Sequence, residues 1–262
     1  MKAETQSIEM GRGLLANPVL VAGDGTPVVF LHGLMGQEWD ELQDGLSAKH
    51  RVYSPSHVGI QESDELRHFD GMYDLVLYYD ELFDKLGVPQ FDLVGHSFGG
   101  MVAAEFAAAF PARVRKLVLI DPLGLWRDDA PVEDYLLVSA ERRAALLFGD
   151  PSDAKVKERI ALPADEEDRI RVTLDRVSTL AAVSHFLWPI PERGLSKRLH
   201  RVRADTLVVW GEQDKLVPSI YAKDFASKIA NARVDTIAGA GHTPQFSQPE
   251  KVLSKVSAFL DR

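Results

Sequence analysis

The sequence contains no cysteine among its 262 residues. This absence excludes disulfides, thiolate metal ligands and a cysteine nucleophile, and it fits a reducing compartment. The chain also lacks any run approaching the roughly 18 apolar residues of a membrane helix. Residues 1–6 offer no apolar stretch that could serve as a signal peptide. We therefore expect a cytoplasmic protein without a membrane span.

Positive charge is also scarce, with 30 Lys and Arg against 39 Asp and Glu and a formal net charge of −9. Phosphate binding requires a positive surface, so a nucleic-acid partner is not expected. The histidines outside the motifs described below show no metal-ligand spacing, and solvated or capping roles are favoured for them: His57, His68, His185 and His200. The sequence implies no metal and no organic cofactor, and it leaves the oligomeric state open.

Short apolar runs alternate with helical patterns along much of the chain. Strand patterns occur at 28–31, 51–53, 91–94, 116–121, 206–210 and 233–237, and shorter strands broken by turns precede them in 7–31. Helical patterns occur at 70–86, 98–110, 219–229 and 249–260. This alternation predicts an α/β protein with a parallel sheet and helices on both faces.

The alternation stops between Leu123 and Val202, where no buried strand is recognisable. Helical patterns replace it, at 132–148, 152–160 and 165–187. Because strands resume directly afterwards, we favour a helical cap inserted into one sheet over a linker or a separate domain. The predicted organisation is a core of residues 1–122 and 203–262, and a cap of residues 123–202.

The run Gly95-His96-Ser97-Phe98-Gly99-Gly100 directly follows the apolar strand pattern at 91–94. A G-x-S-x-G sequence between a strand and a helix forces a sharp turn that presents the serine hydroxyl. Glycine flanks the serine because larger side chains would collide with the neighbouring strand and helix. Ser97 is therefore the candidate nucleophile, whereas His96 within the turn is expected to be a packing residue.

A serine hydroxyl needs a base, most often a histidine that a carboxylate orients. Asp214 follows the strand pattern at 206–210, and His242 follows the next one. The order Ser97, Asp214, His242 is the one expected for this architecture. Asp121 also follows a strand and is an alternative acid, although its neighbour Pro122 and the presence of Asp214 favour a structural role.

Four motifs together resemble the α/β-hydrolase superfamily over nearly the whole chain: residues 31–36, 95–100, 211–214 and 239–242. The resemblance implies an α/β-hydrolase fold with a mostly parallel eight-stranded sheet and a helical cap inserted after the sixth strand. It also implies that Ser97 attacks, that His242 moves the proton and that Asp214 orients the imidazole.

An oxyanion hole should accompany this nucleophile, because negative charge that develops on the substrate oxygen needs fixed donors. The N–H of Phe98 lies at the start of a helix, and the H-G-x motif implies the N–H of Leu34 as the second donor. Apolar residues near both ends of the cap segment and beside the nucleophile could line a substrate pocket, with ordinary core contacts as the alternative: Met35, Leu125, Trp126, Phe186 and Trp188.

The serine at the turn disfavours haloalkane dehalogenases and epoxide hydrolases, which resemble this chain but use aspartate there. We predict a serine hydrolase that cleaves carboxylic esters of small to medium apolar substrates through an acyl-enzyme. Carbon–carbon hydrolases of ring-cleavage products remain an alternative, although they usually carry Gly, Ser and Pro where this chain has 34–36. A receptor with little turnover is a second alternative, although such receptors usually differ from this chain at 98–100.

Overall fold

Eight strands of the described chain form a single sheet in the order β1-β2-β4-β3-β5-β6-β7-β8. The structure is a computed structural model that describes residues 2–149, 154–188, 190 and 192–262. The strands are β1 Glu4–Ile8, β2 Asn17–Ala22, β3 Thr26–Leu31, β4 His50–Ser54, β5 Phe91–His96, β6 Val114–Ile120, β7 Asp205–Gly211 and β8 Ala232–Ile237.

Strand β2 pairs antiparallel with both β1 and β4, and every other neighbouring pair in the sheet is parallel. The prediction of a mostly parallel eight-stranded sheet is therefore confirmed. The antiparallel edge was not predicted, because alternation within single strands does not report their relative direction. The carboxyl ends of β3 and β5 to β8 lie at the same edge, which is where open α/β sheets place their sites.

Helices flank this sheet and fill the connections between its strands. The α-helices are α1 Glu41–Ser47, α2 Met72–Lys85, α3 Phe98–Ala109, α4 Ala140–Phe148, α5 Ala154–Ile160, α6 Glu166–Leu187, α7 Tyr221–Lys228, α8 Pro244–Ser247 and α9 Pro249–Leu260. Short 3₁₀ helices cover Ser63–His68, Leu195–Lys197 and Leu199–Arg201. Within the described ranges, none of these helices is both long and apolar enough to cross a membrane.

Alternate side chains of the strands point into two separate apolar cores. Val28 and Phe30 of β3 pack with α1 and α9, whereas Val29 and Leu31 pack with α2 and α3. This division follows from the two-residue period of a strand. Because both faces are covered, the central strands read as continuous apolar runs in the sequence.

The segment between β6 and β7 contains α4, α5, α6 and two 3₁₀ helices, with no strand among its described residues. The helix expected over 132–148 starts only at Ala140, because the preceding stretch runs as a loop whose Glu133 N–H donates to the Leu216 carbonyl. The helix expected over 152–160 is described from Ala154, and residues 152 and 153 lie outside the described ranges. Arg198, where the segment returns to the sheet, donates to buried Glu105 of α3 at 2.6 and 2.7 Å.

A sharp turn joins β5 to α3 and places Ser97 in the left-handed region, with φ +56°. Close packing surrounds this turn, because a Cβ added at Gly99 would lie 2.1 Å from the Leu31 carbonyl oxygen. The same addition at Gly95 would come within 2.4 Å of the Gly99 carbonyl oxygen. These contacts explain why the motif requires glycine at both positions: neighbouring backbone atoms occupy the space that a Cβ would need.

Replacing Gly99 by alanine should destabilise the protein, because the new methyl group meets backbone that cannot rotate away. We expect the free energy of unfolding, measured in urea, to fall by about 3 kcal/mol. Gly71→Ala is the matched control, since an added Cβ there meets nothing within 4 Å. Equal stabilities of the two variants would contradict this account of the turn.

Candidate active site

Three side chains from separate loops at the carboxyl edge of the sheet form one hydrogen-bonded chain. Ser97 follows β5, Asp214 follows β7 and His242 follows β8. The Nε2 of His242 lies 2.8 Å from Ser97 Oγ, and its Nδ1 lies 2.8 Å from Asp214 Oδ2. The structure thus brings together the residues that the sequence predicts as nucleophile, base and acid.

Asp214 is fixed by the loop in which it lies. Its Oδ1 accepts the backbone N–H groups of Leu216 and Val217 at 2.8 and 3.0 Å. These donors leave Oδ2 aligned on the imidazole of His242, and the side chains of both Asp214 and His242 are fully shielded from solvent. A buried carboxylate held in this way favours the His242 tautomer that carries its proton on Nδ1 and presents a bare Nε2 to the serine.

His96, directly before the nucleophile, holds the backbone of the base. Its Nε2 donates to the carbonyl of His242 at 2.8 Å, and the two rings lie 5.4 Å apart. Burial is the main cause that lowers the pKa of His96 to about 3, and the nearby His242 lowers it further. His96 is therefore neutral, and it ties the turn at Ser97 to the loop that carries His242.

The loop after β3 is braced by a second histidine, which sequence reasoning assigned to a solvated or capping role. His57 is 2% exposed, and its Nε2 donates to the His32 carbonyl at 2.8 Å. The Nδ1 of His57 accepts the Tyr79 hydroxyl at 2.5 Å, and the backbone N–H of His57 donates to His32 Nε2 at 3.1 Å. The assignment of His57 was wrong, because its partners lie 22 and 25 residues away and leave no local signal.

Both histidines of this brace, His32 and His57, are neutral. Burial lowers the pKa of His57 to about 4, and burial followed by the nearness of His57 lowers that of His32 well below its ordinary value. The ring of His57 also meets the ring of Phe98 edge-on, with centroids 4.9 Å apart. The brace therefore contacts both segments that carry the predicted oxyanion donors.

The two predicted oxyanion donors are backbone N–H groups beside Ser97. Phe98 is the first residue of α3, so its N–H has no partner within the helix. The N–H of Leu34 makes no hydrogen bond to any residue of the described ranges. Gly33 lies close enough to the nucleophile that an added Cβ would come 3.0 Å from Ser97 Cβ. This close approach puts the Leu34 loop next to the serine.

The apolar residues predicted to line a pocket fall in different places. Phe186 is buried, and its ring stacks on that of Phe98 with centroids 6.4 Å apart. Leu125 is buried in the same core, and Met35 and Trp126 are partly buried against it. Trp188, directly after α6, is 43% exposed, so its side chain lies at the surface and does not support a place in a buried pocket.

A cleft of about 980 Å³ opens beside the loop after β3. Gly33, Met35 and His96 line it from the core side, and Phe148 and Arg159 line it from the segment between β6 and β7. Ser97 itself is fully buried and is not among the lining residues. The cleft therefore reaches the residues next to the nucleophile without exposing it.

Asp121, the alternative acid, lies beside the chain of Ser97, His242 and Asp214. Its Oδ1 accepts the Gly211 N–H at 2.9 Å. One ligand atom from each of Asp121, Asp214 and His242 lies within 4.8 Å of the others. A small cation could be held at such spacing, but the Nδ1 of His242 and the Oδ2 of Asp214 are already hydrogen-bonded to each other.

A family model described as the alpha/beta hydrolase fold matches residues 26–249. The chain belongs to this family. As an α/β hydrolase it is 27% identical to a 2-hydroxymuconate semialdehyde hydrolase of Pseudomonas sp. (strain CF600), over 99% of this chain and 97% of the relative. The family and this relative together indicate a hydrolase.

Two solved structures illustrate the range of activities among similar α/β hydrolases. A meta-cleavage product hydrolase from Pseudomonas fluorescens IP01 has a TM-score of 0.76 at 21% identity and covers 98% of this chain and 97% of its own. A naproxen esterase from Bacillus subtilis has a TM-score of 0.70 at 19% identity, and the match covers 99% of this chain and 92% of the esterase chain. At these identities the likeness shows the shared fold alone.

The buried neutral histidines predict how the stability of this hydrolase depends on pH. His32, His57 and His96 stay neutral when folded, whereas histidine in an unfolded chain takes up a proton near pH ~6.5. The unfolded state thus binds more protons below that pH. The stabilising contribution of each residue is complete above about pH 6.5 and is lost as the pH falls.

Replacing His96 by glutamine should remove one of these three histidines, whose pKa differs between the folded and the unfolded protein. Between about pH 6 and pH 4.5 the free energy of unfolding should fall less steeply for His96→Gln than for the wild type, by up to about 1.4 kcal/mol per pH unit. Urea titrations at several pH values measure these slopes. His200→Gln, at an exposed position, is the control and should keep the wild-type slope. A wild-type slope in His96→Gln would show that His96 is protonated in the folded protein.

Proposed function

We propose that this protein hydrolyses carboxylic esters of small to medium apolar substrates through an acyl-enzyme. The observation that carries the proposal is the buried chain Ser97 Oγ, His242 and Asp214, with both hydrogen bonds at 2.8 Å. A serine hydroxyl paired in this way with an oriented neutral imidazole is an activated nucleophile.

In the proposed reaction Ser97 Oγ attacks the ester carbonyl carbon while its proton passes to Nε2 of His242. The C–O bond to the alcohol then breaks, and His242 gives that proton to the leaving oxygen. A water molecule attacks the acyl-enzyme after losing a proton to His242, and the same proton returns to Ser97 as the acid leaves. Asp214 stabilises the imidazolium during both halves of the reaction.

The N–H groups of Leu34 and Phe98 are proposed to bind the oxyanion of each tetrahedral intermediate. The proposal is supported by the two N–H groups, neither of which bonds to a residue of the described ranges, and by His57, which contacts the loop of Leu34 and the ring of Phe98. Donors held rigidly in this way need not reorganise as negative charge develops.

An apolar ester suits the surroundings of Ser97 better than an anionic substrate. Phe186 stacks on Phe98 next to the nucleophile. Apart from the neutral His32 and His96, the basic residues of the described ranges that line the cleft are Arg159 and Lys251, and Arg159 is already paired with Glu38. A substrate carboxylate would have to compete with Glu38 for that arginine.

Carbon–carbon bond hydrolysis is the second candidate function. It is favoured by the similarity to a 2-hydroxymuconate semialdehyde hydrolase over nearly the full length of both chains. The same serine, histidine and aspartate would serve this reaction, so the two functions are distinguished by the substrate that the protein turns over. The segment proposed as a cap, residues 123–202, would determine which substrates reach Ser97.

Replacing Ser97 by alanine should abolish ester hydrolysis while leaving the fold intact, because the new side chain lacks only the hydroxyl. We expect kcat/KM for short-chain aryl esters to fall at least about a thousandfold. Ser227→Ala, at an exposed position in α7, is the matched control and should keep the wild-type rate.

Both variants and the wild type should also be tested on a ring-cleavage dienoate, by following the loss of its visible absorbance. Steady turnover of aryl esters by the wild type, with little turnover of the dienoate, supports the ester function. Faster turnover of the dienoate would replace it with the second candidate. A Ser97→Ala variant that still hydrolyses esters at the wild-type rate would contradict both.

A further inference from the structure

Asp121 presents a problem that the proposed reaction does not explain. It is fully buried, and its Oδ2 has no hydrogen-bond partner among the described residues. An unpaired buried carboxylate oxygen is costly, and more so if the group is charged. Asp121 also holds φ +43°, a left-handed conformation that Asp adopts more readily than most residues. A residue kept under these conditions needs a partner.

The available partner is Asp214. The Oδ1 of Asp121 is already occupied by the Gly211 N–H, and one of the two carboxylate oxygens of Asp121 lies within 4.8 Å of a ligand atom of Asp214 and of His242. Two charged carboxylates at this distance, both shielded from water, would repel each other strongly. A single proton on Asp121 removes the repulsion and supplies the missing hydrogen bond.

We propose that Asp121 is a neutral carboxylic acid whose hydroxyl donates to Asp214, and that it thereby positions Asp214 against His242. The inference rests on the proposed function of Ser97, and it makes Asp121 a positioning residue that acts through the acid. Asp214 then accepts hydrogen bonds from four donors: the backbone N–H groups of Leu216 and Val217, the imidazole of His242 and the hydroxyl of Asp121.

The electrostatic surroundings support this protonation state. Burial, followed by the charge of Asp214, raises the pKa of Asp121 well above its ordinary value. Among the described residues, the titratable groups next to Asp121 are Asp214 after β7 and His242 after β8. Asp214 is the acceptor of the pair, because its Oδ1 already accepts two backbone N–H groups and its Oδ2 faces the imidazole.

Asparagine at position 121 reproduces the neutral acid. Its oxygen can accept the Gly211 N–H, its amide can donate to Asp214, and it tolerates the left-handed backbone. Asp121→Asn should therefore keep kcat within about threefold of the wild type, with the same pH profile. Asp121→Gly tolerates the same left-handed backbone but loses the donor, and its kcat should fall about 10- to 100-fold, by analogy with the loss of a residue that orients a metal ligand.

Stability provides a readout that needs no substrate. A neutral Asp121 ionises on unfolding, so the folded state binds the extra proton and the wild type loses stability as the pH rises above about 4. Asparagine does not titrate. The urea midpoint of Asp121→Asn should therefore rise relative to the wild type between about pH 5 and pH 8. Asp24→Asn, whose side chain is 99% exposed in the wild type, is the control and should show no such trend.

The outcomes separate the alternatives. A flat or falling stability difference for Asp121→Asn would show a charged Asp121 and overturn the proposal. Loss of activity in Asp121→Asn as deep as in Asp121→Gly, or sensitivity of the wild type to a chelator, would also overturn it in favour of a required charge or a bound cation. Full activity in Asp121→Gly would show that Asp121 positions nothing. If the wild type hydrolyses no ester, the stability trend still tests the proton on Asp121.

Discussion

The whole site depends on one backbone constraint, the left-handed conformation of Ser97 at the end of β5. That conformation is held by packing that leaves no room for a Cβ at Gly99, and by the Ser97 N–H, which donates to the Ile120 carbonyl. Because β5, β6, β7 and β8 run parallel, their following loops meet at one edge and bring the acid and the base to this fixed point. The rest of the structure supplies rigidity around it.

That rigidity comes largely from buried neutral polar groups. His96 fastens the loop of His242 to the turn, and His57 fastens the loop of His32 with help from Tyr79. A neutral imidazole both donates and accepts, so it can satisfy two backbone or hydroxyl groups at once in an apolar interior. The carboxylate of Asp214 is held in turn by two backbone N–H donors, those of Leu216 and Val217.

The strands from β3 onward, the turn at Ser97 and the order of Asp214 and His242 could be predicted from the sequence, because each leaves a local pattern of apolar runs and glycines. The brace of His57 could not, since its partners are remote and its neighbours resemble a surface loop. Trp188 is a large apolar residue of the kind that lines pockets, yet its side chain lies exposed after α6. Helix α1, with its capping box of Asp40 and Gln43, is too short for periodicity to reveal.

The segment between β6 and β7 touches both outer loops of the site through its backbone. Glu133 donates its N–H to the Leu216 carbonyl, two residues beyond the acid, and the Leu147 carbonyl accepts the hydroxyl of Thr243, directly after the base. Exchanging this segment for that of another hydrolase would therefore remove the present hydrogen-bond partners of two polar groups beside Asp214 and His242. Chimeras intended to change substrate choice need to carry these two contacts with them.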